Sequence, residues 1–217
     1  MAQAVLTITS KNYGSWSLRG WLLARFAGID FVERIVPADD PAVRAEILLL
    51  SSSILVPCLT HDGIEVWDTL AIGEYLNEIA PQAALLPADR ALRARCRSIC
   101  GEMHSGFSTL RSSLPMNLKA HFPGFKVWSQ AQADIDRITA IWRECLASWG
   151  GPFLFGPRSM ADAMYAPVVT RFQTYDVPLD PVCAGYAARI RAMPEMVEWV
   201  AAAQQEPEDI EELDVEF

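Results

Sequence analysis

Positive charge is scarce in this chain. Lys and Arg together number 18 against 27 Asp and Glu, which gives a formal net charge of -9 over 217 residues. A protein that binds nucleic acid needs a basic surface to meet the phosphate backbone, and no stretch of this sequence concentrates Lys and Arg in that way. The composition therefore argues against a nucleic-acid partner.

Paired cysteines and long apolar runs are also missing. The five cysteines lack any CxxC pair, so the sequence predicts neither a disulfide framework nor a metal site, and a reducing cytoplasm suits them. The first residues contain no charged segment followed by an apolar core, and serines or prolines interrupt the apolar runs. We therefore expect no targeting segment and no membrane contact.

What remains is the composition of a folded globular protein, with 51% hydrophobic and 21% charged residues. Strand patterns occur only in the first part of the chain, and helical periodicity dominates after a proline-containing stretch. This change predicts an α+β protein of two domains, with a sheet domain at residues 1–80, a linker at 81–88 and an all-helical domain at 89–217.

The first domain begins with a βαβ pattern. Residues 5–9 form a β-branched strand, and residues 31–36 form a second one after a helix that Gly28 ends. A right-handed crossover makes two such strands parallel. Residues 43–50 then predict a second, short helix.

The stretch from residue 55 to residue 76 completes this domain. Residues 55–60 and 64–67 read as two strands joined by a tight turn, and a helix opens at Asp68 and Thr69. Pro57 stands near the start of the first strand, where it marks either a sheet edge or a cis bond. The order of elements is therefore βαβαββα.

The N-terminus of this last helix offers groups that can bind a ligand. The N–H groups of a first helical turn lack partners and carry partial positive charge, so they hold a carboxylate, and the Thr69 hydroxyl adds a donor. Val56, which Pro57 forces into an extended conformation, can pair its backbone with a peptide. In the simpler alternative, Asp68 or Thr69 merely caps the helix.

The pattern Val56-Pro57-Cys58-Leu59, a turn, and then Asp68-Thr69 resembles the glutathione-binding half of the soluble glutathione S-transferases. The resemblance implies a thioredoxin-like domain followed by an all-α domain, with a cis bond before Pro57. It also implies that Val56 pairs with the cysteinyl backbone of glutathione, and that Asp68 and Thr69 hold the γ-glutamyl end. Farther on, residues 159–165 resemble the Ser-x-x-Asp capping box that starts the family's core helix.

The catalytic hydroxyl of this family follows the first strand and donates to the glutathione sulfur. Residues 14–19 resemble the Ser-Ser-Cys-Ser-x-Arg motif of the zeta class, with Gly14 where a catalytically important serine usually stands. Ser15 is then the best-placed hydroxyl and Tyr13 the next, although Ser15 could equally be an ordinary N-cap. The remaining candidates are Ser10 and Ser17.

The resemblance implies a homodimeric enzyme that conjugates glutathione to a hydrophobic electrophile, a detoxification reaction, with no metal. Two alternatives stay open: a glutathione-dependent cis–trans isomerase of the maleylacetoacetate type, and a non-catalytic binding protein. Gly14 favours the latter, as does Leu55, since many relatives carry lysine there to grip the glycyl carboxylate. A thiol-reductase is disfavoured because residues 10–17 contain no cysteine.

Two further expectations concern the helical half, which opens with helical periodicity over residues 91–116. Met103, Phe107 and Leu110 form a plausible wall for the hydrophobic substrate, although such a stripe is more often core. His104 beside them could be a site residue, although a lone histidine is more often structural. The acidic residues from Glu206 onward predict a solvated or loosely docked tail, with a tail that covers the active site as the alternative.

Overall fold

The computed structural model describes residues 4–36 and 56–207. Its four strands are β1 (Ala4–Ile8), β2 (Phe31–Ile35), β3 (Cys58–His61) and β4 (Ile64–Trp67), joined in the order β2-β1-β3-β4. Strand β2 runs parallel to β1, whereas β3 and β4 are each antiparallel to their preceding neighbour in the sheet. This mixed sheet confirms the predicted thioredoxin-like fold; the predicted helix at residues 43–50 lies outside the described residues.

Two helices belong to the sheet, and they pack against each other. Helix α1 (Ser15–Ala27) connects β1 to β2, and α2 (Thr69–Ile79) follows β4. A side chain is excluded at Gly20 of α1, because a Cβ there would lie 2.6 Å from the Cβ of Pro57. The missing side chain lets the middle of α1 approach the segment that leads into β3.

The second half of the described chain is helical, which confirms the predicted all-α domain. A short 3-10 turn (Pro81–Ala83) precedes it. Its helices are α3 (Arg90–Ser105), α4 (Ser108–Ser113), α5 (Ser129–Trp149), α6 (Met160–Thr174), α7 (Pro181–Arg191) and α8 (Pro194–Ala203). Within the described ranges, none of the helices has the length and apolar composition that crossing a bilayer requires.

The predicted substrate wall does not lie on one helix. Helix α3 ends before Gly106, Phe107 adopts a left-handed conformation with φ of 55°, and Arg111 donates to the Gly106 carbonyl at 2.7 Å. Met103 and Leu110 are fully buried in the common core. The core alternative is therefore correct for these two side chains, and the periodicity across the break misled the sequence interpretation.

The capping box at the start of α6 is present where the sequence predicts it. The Asp162 carboxylate, fully buried, accepts hydrogen bonds from the Ser159 N–H at 2.8 Å, the Leu154 N–H at 3.2 Å and the Tyr186 hydroxyl at 3.1 Å. Burial raises the pKa of Asp162 to about 6, because the charged form loses more hydration than these donors return. Helix α6 is thereby anchored in the middle of the helical half.

Candidate active site

Helix α1 begins at Ser15, and its N-cap is Gly14, which carries no side chain to cap with. The predicted N-cap role of Ser15 is therefore wrong. Ser15 is buried, with 8% of its surface exposed, and its hydroxyl makes no hydrogen bond to any other described residue. A donor without a partner at the mouth of a helix is available to a ligand that carries negative charge.

Gly14 is dictated by the loop that it closes. A Cβ at this position would lie 2.4 Å from the Ser10 carbonyl oxygen and 2.5 Å from Thr9 Oγ1, closer than real Cβ atoms come. The Gly14 N–H donates to that same carbonyl at 2.9 Å, so the loop turns tightly here. Serine cannot occupy position 14 unless the backbone moves, and the departure from the zeta-like motif follows from the loop's own geometry.

Two of the other candidate hydroxyls are engaged in holding this loop. Ser17 Oγ accepts from the Thr9 N–H at 2.9 Å and lies 3.1 Å from Thr9 Oγ1. Ser10 Oγ donates to Glu206 at 2.6 Å, across nearly the whole length of the chain. These contacts fit structural roles for Ser10 and Ser17, and they leave Ser15 and the buried Tyr13 as the two candidates for thiol activation.

The predicted peptide clamp lies at the start of β3. The bond between Val56 and Pro57 is cis. Pro57 lies against Gly20 of α1 as described above, so the Val56 backbone lies next to the helix that Ser15 opens. Two residues far apart in sequence, Gly20 of α1 and Pro57 before β3, are thereby in contact.

The N-terminus of α2 contains both a capping residue, Asp68, and a hydroxyl without a hydrogen-bond partner among the described residues, that of Thr69. The backbone of Asp68 has a φ of 75°. Its Oδ1 accepts from the Leu70 N–H at 2.8 Å and the Ala71 N–H at 3.3 Å, so Asp68 caps α2 with this oxygen, as the simpler alternative predicts. Thr69 is only 1% exposed, and its hydroxyl has no hydrogen-bond partner among the described residues. A buried, unpaired hydroxyl destabilises the free protein and gains a hydrogen bond when a ligand oxygen reaches it.

His104, which the sequence leaves as either a site residue or a structural histidine, contacts residues at the N-termini of both α1 and α2. Its Nε2 contacts the second carboxylate oxygen of Asp68, and its ring lies 5.2 Å from the ring of Trp16. Trp16 is the second residue of α1, directly after Ser15. The sequence offers one signal for this contact, the aromatic Trp16 between Ser15 and Ser17. Nothing in the pattern around His104 distinguishes it from a structural histidine.

Arg19 supplies fixed positive charge beneath Ser15. Its buried guanidinium donates to the Met164 carbonyl of α6 at 2.8 Å and to the Ser15 carbonyl at 3.4 Å, and it stacks on Trp16 at 4.4 Å. Burial, with the like charges of Arg171 and Arg111, lowers the pKa of Arg19 well below its usual range. Positive charge at this end of α1 favours a thiolate over a thiol nearby.

Comparison with known proteins shows the family of this chain. The chain matches the family described as glutathione S-transferase, N-terminal domain, over residues 13–79, and glutathione S-transferase, C-terminal domain, over residues 89–202. The chain belongs to the glutathione S-transferase family. It is 32% identical over 173 residues to maleylacetoacetate isomerase of Rattus norvegicus, an alignment that covers 77% of each chain.

Solved structures in this family give the same result. A glutathione transferase homologue from Burkholderia GL BGR1, with bound glutathione, matches with a TM-score of 0.70 and 22% identity over 94% of this chain and 98% of that one. Maleylacetoacetate isomerase from Anaeromyxobacter dehalogenans, with bound dicarboxyethyl glutathione and citrate, matches with a TM-score of 0.69 and 22% identity over 98% of both chains. At that identity the structural likeness establishes the transferase fold.

None of the cysteines in this transferase-family protein is a reactive thiol of the site. All five are free and buried. Cys58, the one next to the clamp, has its pKa raised to about 11 by burial and by the Glu65 carboxylate. Within residues 4–36 and 56–207, no group of three His, Cys, Asp or Glu side chains lies close enough together to hold a metal ion.

Proposed function

We propose that the protein is a glutathione S-transferase that binds glutathione between the mouths of α1 and α2 and adds its thiolate to a hydrophobic electrophile. The observation that carries the proposal is the buried Thr69 hydroxyl at the start of α2, which has no partner among the described residues. Asp68 beside it is joined through His104 and Trp16 to the equally unused Ser15 hydroxyl. Two available donors at two neighbouring helix mouths suit a ligand with a carboxylate and a sulfur anion.

Each end of glutathione has a partner in this arrangement. Its γ-glutamyl carboxylate lies on Thr69 and the N–H groups of α2, and its ammonium lies on Asp68. The cysteinyl backbone pairs with Val56, whose neighbour Pro57 lies against Gly20 of α1. Support for glutathione as the ligand comes from the family and from the glutathione bound in the Burkholderia homologue.

The magnitudes permit Ser15 to activate the thiol. Lowering a thiol pKa by about two units from about 8.5 needs roughly 2.7 kcal/mol of thiolate-selective stabilisation. A hydrogen bond to a charged group contributes about 1.5–3 kcal/mol, and the α1 N-terminus adds roughly 0.3–1 kcal/mol. The Ser15 hydroxyl and the N-terminus of α1 together therefore reach the roughly 2.7 kcal/mol of thiolate stabilisation that is needed.

Thr69→Val tests the binding proposal, because valine keeps the shape of threonine and removes only the hydroxyl. We expect glutathione affinity to fall by about 1.5–3 kcal/mol, or roughly ten- to a hundredfold in Kd, since the carboxylate loses a charged hydrogen bond. The free protein should become slightly more stable, because a buried unpaired hydroxyl is gone. Titration calorimetry and thermal unfolding measure the two effects.

The matched control is Thr139→Val on α5. The Thr139 hydroxyl is buried but donates to the Asp136 carbonyl at 3.1 Å, so its removal should lower stability and leave glutathione affinity unchanged. If Thr69→Val binds glutathione as tightly as the parent, the ligand carboxylate lies elsewhere.

An isomerase is the second candidate, favoured by the 32% identity to rat maleylacetoacetate isomerase. Both functions begin with addition of the thiolate to an electrophilic carbon. In the isomerase the carbon–sulfur bond breaks again after rotation about the former double bond, which returns the thiolate. Counting free thiol during turnover separates them: a transferase consumes one glutathione per product, whereas an isomerase converts maleylacetoacetate with no loss of thiol.

We also propose that the protein is a homodimer that pairs through the β4 edge of the sheet. Supporting this are the exposed apolar side chains Ile64 (51%) and Trp67 (52%) on that edge strand, with Ile79 at the end of α2. Exposed apolar side chains along a sheet edge and on the helix that follows it are typical of an interaction surface.

Trp67→Glu should convert a dimer of twice 24.1 kDa into a monomer at micromolar concentration, since a buried, unpaired charge disfavours association. Light scattering after gel filtration measures the mass. Ile35→Glu, on the opposite strand of the described sheet and 50% exposed, is the control that should leave the dimer intact. A monomeric parent would refute the dimer.

We place the protein in the cytoplasm. All five cysteines are free thiols, and Cys96 and Cys100 share one helix without bonding to each other covalently. Free thiols persist in a reducing compartment.

A further inference from the structure

Glu206 docks on the loop that leads into α1, and a docked position is among those that the acidic composition predicts. Its carboxylate accepts from the Ser10 hydroxyl at 2.6 Å, from the Lys11 N–H at 2.5 Å and from the Asn12 N–H at 3.1 Å. Two successive backbone N–H groups that point at one carboxylate form an anion-binding nest. The acidic residues from position 208 onward lie outside the described residues.

The Ser10 hydroxyl shows what this contact does to the loop. Because its proton goes to Glu206, its lone pairs face the loop and accept from the Asn12 N–H at 3.1 Å and the Tyr13 N–H at 3.2 Å. The next two N–H groups are bonded within the loop, Gly14 to the Ser10 carbonyl and Ser15 to the Tyr13 carbonyl, each at 2.9 Å. The Glu206 carboxylate therefore orients the Ser10 hydroxyl, and this hydroxyl accepts the first of the hydrogen bonds that continue along the loop to the Ser15 N–H.

The same loop is held from the helical half. The Lys119 ammonium donates to the Glu206 carbonyl at 2.6 Å, and the Asn12 side-chain oxygen accepts from the Leu118 N–H at 2.6 Å. The Trp199 indole of α8 donates to the Lys11 carbonyl at 2.9 Å. Glu206 is thus the charged centre of a junction between the loop and the end of the helical half.

We infer that Glu206 is a positioning residue, which holds the loop from Ser10 to Gly14 so that the Ser15 hydroxyl meets the glutathione sulfur. The inference rests on the proposed function of Ser15. The hydrogen bonds that the structure describes for Glu206 go to the loop and to Lys119, and none goes to Val56 or Thr69. Glu206 should therefore influence the sulfur more than the binding of glutathione.

Glu206→Gln tests this role, because glutamine keeps the size of the side chain and replaces one acceptor oxygen by a donor. We expect the pKa of the bound glutathione thiol to rise by about one unit and kcat at neutral pH to fall about tenfold. The Kd for glutathione should change less than about twofold, since the clamp is intact. Amide hydrogen exchange of the loop should become faster at Lys11 and Asn12.

Ser10→Ala should shift the thiol pKa in the same direction, and the double variant should show less than the sum of the two single effects, because both changes remove the Ser10–Glu206 contact. Glu198→Gln on α8 is the control: its carboxylate pairs with Arg25 on the far side of α1 from the loop, so every readout should match the parent.

The outcomes separate this inference from the proposed function. A parent complex without a lowered thiol pKa counts against the proposed function. A parent with a lowered thiol pKa, together with a Glu206→Gln variant that has the same thiol pKa and the same loop exchange, overturns the positioning role alone. A Glu206→Gln variant that loses affinity and keeps the thiol pKa also overturns it.

Discussion

Replacing Ser15 by alanine should raise the pKa of the bound glutathione thiol by about one to two units, the equivalent of about 1.4–2.7 kcal/mol. The thiolate loses the hydroxyl donor at the mouth of α1, whereas the clamp at Val56 and Thr69 is untouched, so binding should stay nearly intact. The rate should fall about ten- to a hundredfold at neutral pH and recover as the pH rises and the thiolate forms unaided. Ultraviolet absorbance of the thiolate in the complex measures the pKa directly.

Tyr13→Phe is the control for this prediction. Tyr13 lies in the same loop and is the second candidate donor. If Tyr13→Phe shows the pH-dependent loss and Ser15→Ala does not, the zeta-like alignment of the loop is incorrect. An unshifted thiol in the parent, with no effect of either variant, would favour a non-catalytic binding protein.

The second large effect concerns stability and Asp162. Burial raises the pKa of this carboxyl from the ordinary 3.8 to about 6 in the folded protein, so the folded state holds its proton more tightly than the unfolded state does. The protonated Asp162 carboxyl therefore stabilises the folded state, and this contribution is fully present below about pH 4 and is lost as the pH rises through about 6. A shift of about two units corresponds to about 3 kcal/mol in the free energy of unfolding.

Comparison with Asp162→Asn isolates this carboxyl, because asparagine does not titrate and every other group is shared. We expect the stability of the parent, measured relative to the variant by urea unfolding, to fall by roughly 2–3 kcal/mol between pH 4 and pH 7. Dilute protein is needed near the pI of about 4.8. Parallel stability profiles of the two proteins would contradict the raised pKa.

Tyr186→Phe extends this test. The Tyr186 hydroxyl donates to Asp162 at 3.1 Å and lowers the carboxyl pKa, in opposition to burial. Its removal should move the loss of stability to higher pH. A move to lower pH would mean that the hydroxyl does not favour the ionised carboxylate.

The elements that local chemistry controls were predicted from the sequence. The hairpin of β3 and β4, the start of α2 at Thr69 and the start of α6 at Met160 all occur where turn residues and caps predict them. The interpretation of residues 91–116 as one helical stretch was wrong because the helix ends at Gly106 and the chain turns at Phe107, which adopts a left-handed conformation.

The sequence by itself determined the fold class and the types of residue at the site, because hydrophobic periodicity, proline positions and capping patterns depend on near neighbours along the chain. Tertiary structure alone decided how those residues are used. The position of Gly14 against the Ser10 carbonyl, the contact of His104 with Asp68 and the docking of Glu206 on the loop join groups that are distant in sequence or set by backbone approach. The His104 and Glu206 contacts depend on how the two halves pack, which no local pattern encodes, and the Gly14 contact depends on how the loop folds back on itself.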